Sequence, residues 1–428
     1  MPGRSRDIEG WLIWPLLPTE SQWLLLKVCA GGCVKALPQG QGSADGVRSA
    51  WGQWVGRMVN TRRAILADRW GIKAMLPLLS AALGRARVGT DKELQTVLRA
   101  ACLREQLRLA TIRRLFAELL DALARASIEP LLVGELAVTE TAYRFDPALR
   151  HCANIHLLVQ PGEMDAAVQS LAGVNWRCVE PPIAGEPSEA RLIHVSGLPL
   201  VVGSGLGLSF AAGRSTESLR AGSVQQTIGS RAVRQLGPAD LLLSVVAGGL
   251  RRGCWTSIQW VCDAWLLARA GMSPADWAMF VSAARNARAA RLVGATMKQI
   301  AECLPAGEGE TVVPTSVLAD LASGPVDPAE RALAANWSTE AMGPHLRAAL
   351  SAAVGGAEWR DTLRITTAWH YRRLRERLRL WAVKHPPIHR LARGVLRMVR
   401  LARGREFGHI CQLQSTLERD ADAGDSTY

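Results

Sequence analysis

Apolar residues recur at three- and four-residue steps through much of the first 126 positions. Between Leu98 and Ala126, the residues Leu109, Ile112, Phe116, Leu119 and Leu123 form one stripe, which predicts an amphipathic helix. Ala64 to Leu83 is similarly apolar and is interrupted by proline only at Pro77. The pattern changes at Ser127. Pro130-Leu-Leu-Val133 is a short apolar run that stops at Gly134, and Ala153 to Val159 is a second, stopped by Pro161-Gly162. Glu163 to Leu171 reads as a helix ending near Gly173. Arg191 to Val195 and Leu198 to Val202, separated by Ser196-Gly197, predict a hairpin. Helical spacing returns at Pro238, with Ile258, Val261, Trp265 and Ala268 on one face. Ser273-Pro-Ala-Asp276 then supplies an N-cap, a proline at the first helical position and an acid at the third.

These elements predict an α+β, mostly helical protein, with a small mixed-sheet core flanked by N- and C-terminal helical regions. Five parts follow from the changes in pattern. Residues 1–126 form an N-terminal helical region, 127–236 the α/β core, and 237–303 a helical subdomain. Residues 304–411 form a C-terminal helical, basic region entered through a Gly-, Pro- and Ser-rich joint at 304–330. Residues 412–428, polar and net acidic, read as a flexible tail.

Composition narrows the classes. At 48% hydrophobic and 21% charged over 428 residues, the chain has ample material for a core and is not intrinsically disordered. No uninterrupted apolar run reaches the eighteen or so residues that span a bilayer. The opening residues carry acids before a short apolar patch, Trp11 to Leu17, which makes a poor secretory signal and predicts a cytoplasmic protein. Nine cysteines, scattered and without a Cys-x-x-Cys pair, argue against a disulfide framework or paired zinc thiolates. Cys29 and Cys33, one helical turn apart, read more plainly as small buried hydrophobes than as chelators.

The net charge of +13 sits at one end. From Asp361 to Arg405 there are twelve Arg and Lys384 against Asp361 and Glu376, a net +11 that leaves only +2 for everything else. Nucleic-acid binding by the core is therefore not expected. In the basic stretch, Leu363, Thr367, Tyr371, Leu374, Leu378 and Trp381 share a helical stripe, and Ile388, Leu391, Val395 and Val399 begin another beyond Pro386-Pro387. Such helices fit packing on the body with Arg in water, an anionic membrane surface met through 361–403, or an acidic partner or nucleic acid.

Several motifs fall in a telling order: Leu131-Leu-Val-Gly134, Tyr143, Arg150-His-Cys-Ala-Asn-Ile-His-Leu-Leu-Val159, Leu236-Gly-Pro-Ala-Asp-Leu-Leu-Leu243, Trp260-Val-Cys-Asp263 and Asp276-Trp277. From about Trp23 to Leu304 this order resembles a bacterial, mostly uncharacterised nucleotidyltransferase family of the polymerase-beta-like superfamily. The resemblance implies Mg²⁺ and a nucleoside triphosphate as cofactor and substrate, if the protein is active, with transfer to a small molecule, sugar or peptide. It also implies a strand bearing Asp-x-Asp. Residues i and i+2 of a strand share a face, so two carboxylates there converge on one ion.

In this chain the corresponding positions are Asn154 and His156, and the family's third acid aligns with Val201 and its histidine with Gly203. The lysine before the family's glycine is Val133. Gly134, Glu135 and Arg150 fall on the side where the resemblance places the nucleotide phosphates. At an effective dielectric near 20, two carboxylates about 4 Å from a divalent ion supply roughly 16 kcal/mol of gross attraction, most of it offset by hydration. An amide and an imidazole forfeit that attraction, and Mg²⁺ disfavours nitrogen ligands.

The expectation is a degenerate metal site without catalytic residues, in a binding or scaffold subunit for a protein or small-molecule partner. The alternative is an active transferase with non-standard ligands, drawing on Glu135, Glu140 or Asp146. His156 with His151 or His194 as a transition-metal set is weaker than a plain structural histidine. Gly203-Ser-Gly-Leu-Gly207 has Leu208 where a dinucleotide fingerprint needs glycine, so it reads as a strand connection.

Overall fold

The structure is a computed structural model that describes residues 17–33, 44–58, 61–66, 71–181, 189–206, 215–253, 257–304, 311–323 and 330, all within one compact unit. The basic stretch 361–403, the tail 412–428, and Gly207 with Leu208 lie outside these residues.

Helices α1 (Glu20–Cys33), α2 (Ala44–Arg57), α3 (Thr61–Leu66) and α4 (Ile72–Arg85) precede the sheet. Helix α1 packs on both α2 and α4. Gly31 lets α2 approach closely, since a Cβ there would sit 2.5 Å from Val47 Cγ2. The apolar stretch from Ala64 is broken at Gly71, which has φ +66°, and not at Pro77, which lies inside α4. Pro77 removes one intrahelical hydrogen bond, but Ile72, Met75, Leu76, Leu79 and Leu83 still bury on one side.

Helix α5 (Lys92–Arg125) runs 34 residues, about 51 Å at 1.5 Å per residue. The Asp91 carboxylate caps it by accepting from Leu94 N at 2.7 Å. The expected stripe of Leu109, Ile112, Phe116, Leu119 and Leu123 is buried, extended back to Leu94 and Leu98. Each such side chain contributes about 1.5–3 kcal/mol by leaving water.

A seven-stranded sheet follows, in the order β3-β4-β5-β2-β1-β7-β6. The strands are β1 (Leu131–Val133), β2 (Ile155–Leu158), β3 (Trp176–Glu180), β4 (Glu189–His194), β5 (Pro199–Gly203), β6 (Val224–Ile228) and β7 (Arg231–Gln235). Pairs β1–β7 and β2–β5 are parallel and the others antiparallel. The β4–β5 hairpin is the expected one; β3 and the β6–β7 hairpin are additions to the sequence reading. Helices α6 (Gly134–Ala142), α7 (Met164–Ala172) and α8 (Thr216–Ala221) connect the strands.

Helices α9 (Pro238–Arg252), α10 (Gln259–Arg269), α11 (Pro274–Asn286), α12 (Ala290–Cys303) and α13 (Thr315–Ala322) complete the described unit. Ser273 and Asp276 form the expected capping box at α11: Asp276 N donates to Ser273 Oγ at 3.1 Å and Ser273 N donates to Asp276 Oδ2 at 2.9 Å. Gly249 is bare because the Trp260 indole lies on it; a Cβ there would fall 2.1 Å from Trp260 Cδ2. Among the described residues no helix is long and apolar enough to cross a membrane.

Candidate functional site

The strand register assembles the sequence candidates. His156 on β2 stands opposite Val133 on β1 and opposite Val201 on β5, so the three occupy one row across adjacent strands. Partners in register point to the same side of a sheet. The row continues through Arg191 on β4 to Glu180 on β3. Asn154 lies two residues before His156, and Glu189 two before Arg191, so both fall on the same face.

Alternation explains why these side chains face outward. On β2 and β5 the residues Ile155, Leu157, Leu200 and Val202 are buried, whereas His156 and Val201 are only partly so. Arg191, exposed, is paired with Glu189 at 3.2 Å and with Glu180 at 3.4 Å. These charged neighbours were missed in the sequence, although the polar–apolar alternation of Glu189-Ala-Arg-Leu192 carried part of the signal.

Gly134 turns the chain from β1 into α6 with φ +69°, a left-handed conformation that glycine adopts without strain. It also makes room for the imidazole: a Cβ at Gly134 would lie 3.2 Å from His156 Cβ and 3.6 Å from His156 Nδ1. The ring thus covers the start of the helix. Its Nε2 is buried and has no hydrogen-bond partner among the described residues. Burial lowers its pKa from 6.5 to about 4, against the opposing pull of Glu189 and Glu135, so the imidazole is neutral at physiological pH.

The acids nearby are mostly committed. Glu135 Oε2 accepts from Ala153 N at 2.6 Å, which ties the first turn of α6 to the segment entering β2. Glu140 is buried and takes a bidentate pair from Arg113, at 2.9 and 2.8 Å. Asp146 is exposed on the connection after α6. Glu105 is buried on α5 and meets His151 Nδ1 at 2.9 Å. Burial pushes that carboxyl up, but His151, Arg104 and Arg108 outweigh it and hold the carboxyl low.

Three of the ordered motifs meet in one buried network. The Arg150 guanidinium donates to Asp263 Oδ1 at 3.1 Å and Oδ2 at 2.9 Å, and Tyr143 Oη donates to the same Oδ1 at 2.9 Å. Arg150 Nη1 reaches Thr139 Oγ1 at 3.3 Å and the His151 carbonyl at 3.0 Å. Burial would weaken the guanidinium's hold on its proton, but Asp263 and Glu135 reverse this and keep it charged. The network joins α6, the segment entering β2, and α10.

The donors at 154, 156 and 201 are an amide, an imidazole nitrogen and a hydrocarbon. They do not fit Mg²⁺, which takes oxygen ligands at 2.0–2.1 Å in an octahedron. No group of three or more His, Cys, Asp or Glu side chains that could hold a metal ion occurs among the described residues. His151 and His194 are engaged elsewhere, with Glu105 and with Ser196 respectively.

The fold is α+β and mostly helical, with a mixed sheet and a glycine turn from strand into helix. Residues 72–305 match the family described as Uncharacterised nucleotidyltransferase, and the chain belongs to it. No curated protein and no solved structure matches the chain.

Proposed function

We propose that this nucleotidyltransferase-family protein serves as a binding or scaffold subunit whose metal site is degenerate. The observation that carries the reading is the row Val133–His156–Val201, with Asn154 beside it, which presents no carboxylate where converging acids are needed. A neutral imidazole lying over Gly134 supports it further, because it fills space at the start of α6.

Calorimetric titration with Mg²⁺ and each nucleoside triphosphate tests the reading. The expected result is no Mg²⁺-dependent heat and no turnover; micromolar Mg²⁺-dependent binding with product formation overturns it. The variant Asn154→Asp with His156→Asp and Val201→Glu is expected to gain Mg²⁺ binding by tenfold or more, since each carboxylate restores several kcal/mol of gross attraction.

A second reading, an active transferase with unusual ligands, draws on one observation: the charges of Glu135 and Glu189 both reach His156. Loss of a measured activity in Glu189→Gln, with unchanged stability, would favour it. Peripheral attachment to an anionic membrane through 361–403 accompanies either reading. It predicts flotation of the cytoplasmic protein with anionic vesicles at low salt and release at high salt; absence of flotation at low salt excludes it.

A further inference from the structure

The groups around His156 disagree with a metal-bound triphosphate, and the disagreement has a direction. Among the described residues, the charges that act on the imidazole are both negative: Glu135, in the first turn of α6, and Glu189, on β4. Glu189 stands in register with Gly203 on β5, which in turn faces Leu158 on β2, so no β5 side chain separates Glu189 from β2 in that register. The arginines nearby do not reverse the sign. Arg150 is buried against Asp263, and exposed Arg191 is divided between Glu189 and Glu180. Exposed pairs of that kind are weak, so Arg191 does not withhold Glu189 from a ligand. Nor does the start of α6 favour an anion, because the Glu135 charge offsets the positive end of the helix dipole.

His156 supplies the acceptor. Its Cβ and Nδ1 are the atoms that face Gly134, which leaves Nε2 as the buried nitrogen without a partner among the described residues. A buried polar atom left unpaired is the exception in folded proteins. With the proton on Nδ1, a neutral imidazole offers Nε2 to a donor. Asn154, two residues earlier on the same face, adds an amide oxygen. A metal ion lacks its ligand set here, since no group of three or more His, Cys, Asp or Glu side chains fit for one occurs among the described residues. An organic cation needs only acceptors and opposite charge. Val133, Gly134, Asn154, Val201 and Arg191 include no Trp, Tyr or Phe to hold a quaternary ammonium by its charge alone, whereas a primary ammonium brings three N–H donors. We propose that this site binds a primary ammonium cation, the end of an alkylamine, which donates to His156 Nε2 while Glu135 and Glu189 face its charge. The assignment rests on the reading of the protein as a binding subunit and gives its ligand a chemical class.

Nuclear magnetic resonance of the full chain carrying ¹⁵N-labelled histidine tests it. Butylammonium chloride replaces sodium chloride at constant ionic strength and neutral pH, and the His156 signals are assigned by their loss in His156→Gln. The expected result is a saturable shift of the His156 Nε2 resonance with butylammonium and none with tetramethylammonium, which has no N–H, or with sodium pyrophosphate. Glu189→Gln is expected to weaken butylammonium binding about tenfold or more, while Glu118→Gln, an exposed acid on α5, leaves it unchanged. Absence of a saturable shift overturns the proposal, as does an equal response to tetramethylammonium or undiminished binding in folded Glu189→Gln. If Glu189→Gln does not fold by circular dichroism, the contrast between butylammonium and tetramethylammonium in the wild type decides. A chain that binds neither amine nor Mg²⁺-triphosphate keeps the subunit reading and loses this ligand. Mg²⁺-dependent turnover overturns that reading and this assignment together.

Discussion

Asp263 answers for two buried partners at once, Arg150 and Tyr143. Removing a partner from a buried pair leaves an uncompensated charge, at about 3–5 kcal/mol. Asp263→Ala is therefore expected to lower stability by roughly that amount in urea unfolding, and Arg150→Met in the same chain to recover part of it. His156 makes a different prediction. Its imidazole binds a proton more weakly in the folded chain (about 4) than in the unfolded chain (6.5). As pH falls the unfolded chain takes the proton first, so stability is flat above 6.5, declines toward 4 and levels off below. The loss is on the order of a few kcal/mol. Unfolding midpoints of wild type and His156→Gln between pH 7 and 4.5 check it, with the variant showing the shallower decline. Glu105, held low when folded, adds its own loss only as pH falls below the ordinary carboxylate value of 4.5. In the sequence His156 was visible as a replaced position, because a two-residue spacing on a strand fixes its neighbours. The commitment of Arg150 to Asp263 was not, since those residues lie 113 positions apart and only the fold joins them.

The junction of β1 and α6 shows what an element boundary can hold. Gly134→Ala incurs two penalties: a left-handed backbone, about 1–2 kcal/mol, and a contact with His156 that forces the ring to give. Pairing Gly134→Ala with His156→Ala should relieve the second and leave the first, so the double variant is expected to lose less stability than the sum of the single changes. The capping box at Ser273 and the β4–β5 hairpin were legible because local chemistry dictates each. The β6–β7 hairpin was passed over because Val224 to Gln235 is polar and half-exposed, so it lacks a strong apolar alternation. The break before Ile72 was legible in Asp68-Arg-Trp-Gly71, which interrupts the apolar pattern.

For the molecule as a whole, the concentration of charge at 361–405 is legible from the positions of the charged residues alone. The order of the sheet needed more. Interior strand β1 pairs on one side with β2, 25 residues on, but on the other with β7, where Leu131 meets Arg234. A chain ending at Ser223 lacks β6, β7 and helices α9–α13, and is expected to be insoluble or to bind more hydrophobic dye than the full chain.

On the ribosome this arrangement imposes a wait. At about 5–20 residues per second, β1 leaves the exit roughly 5–20 s before its second neighbour does. Throughout that interval one side of a wholly apolar strand, Leu131-Leu-Val133, stands open in the middle of an unfinished sheet. A pause in translation before codon 231 lengthens that exposure.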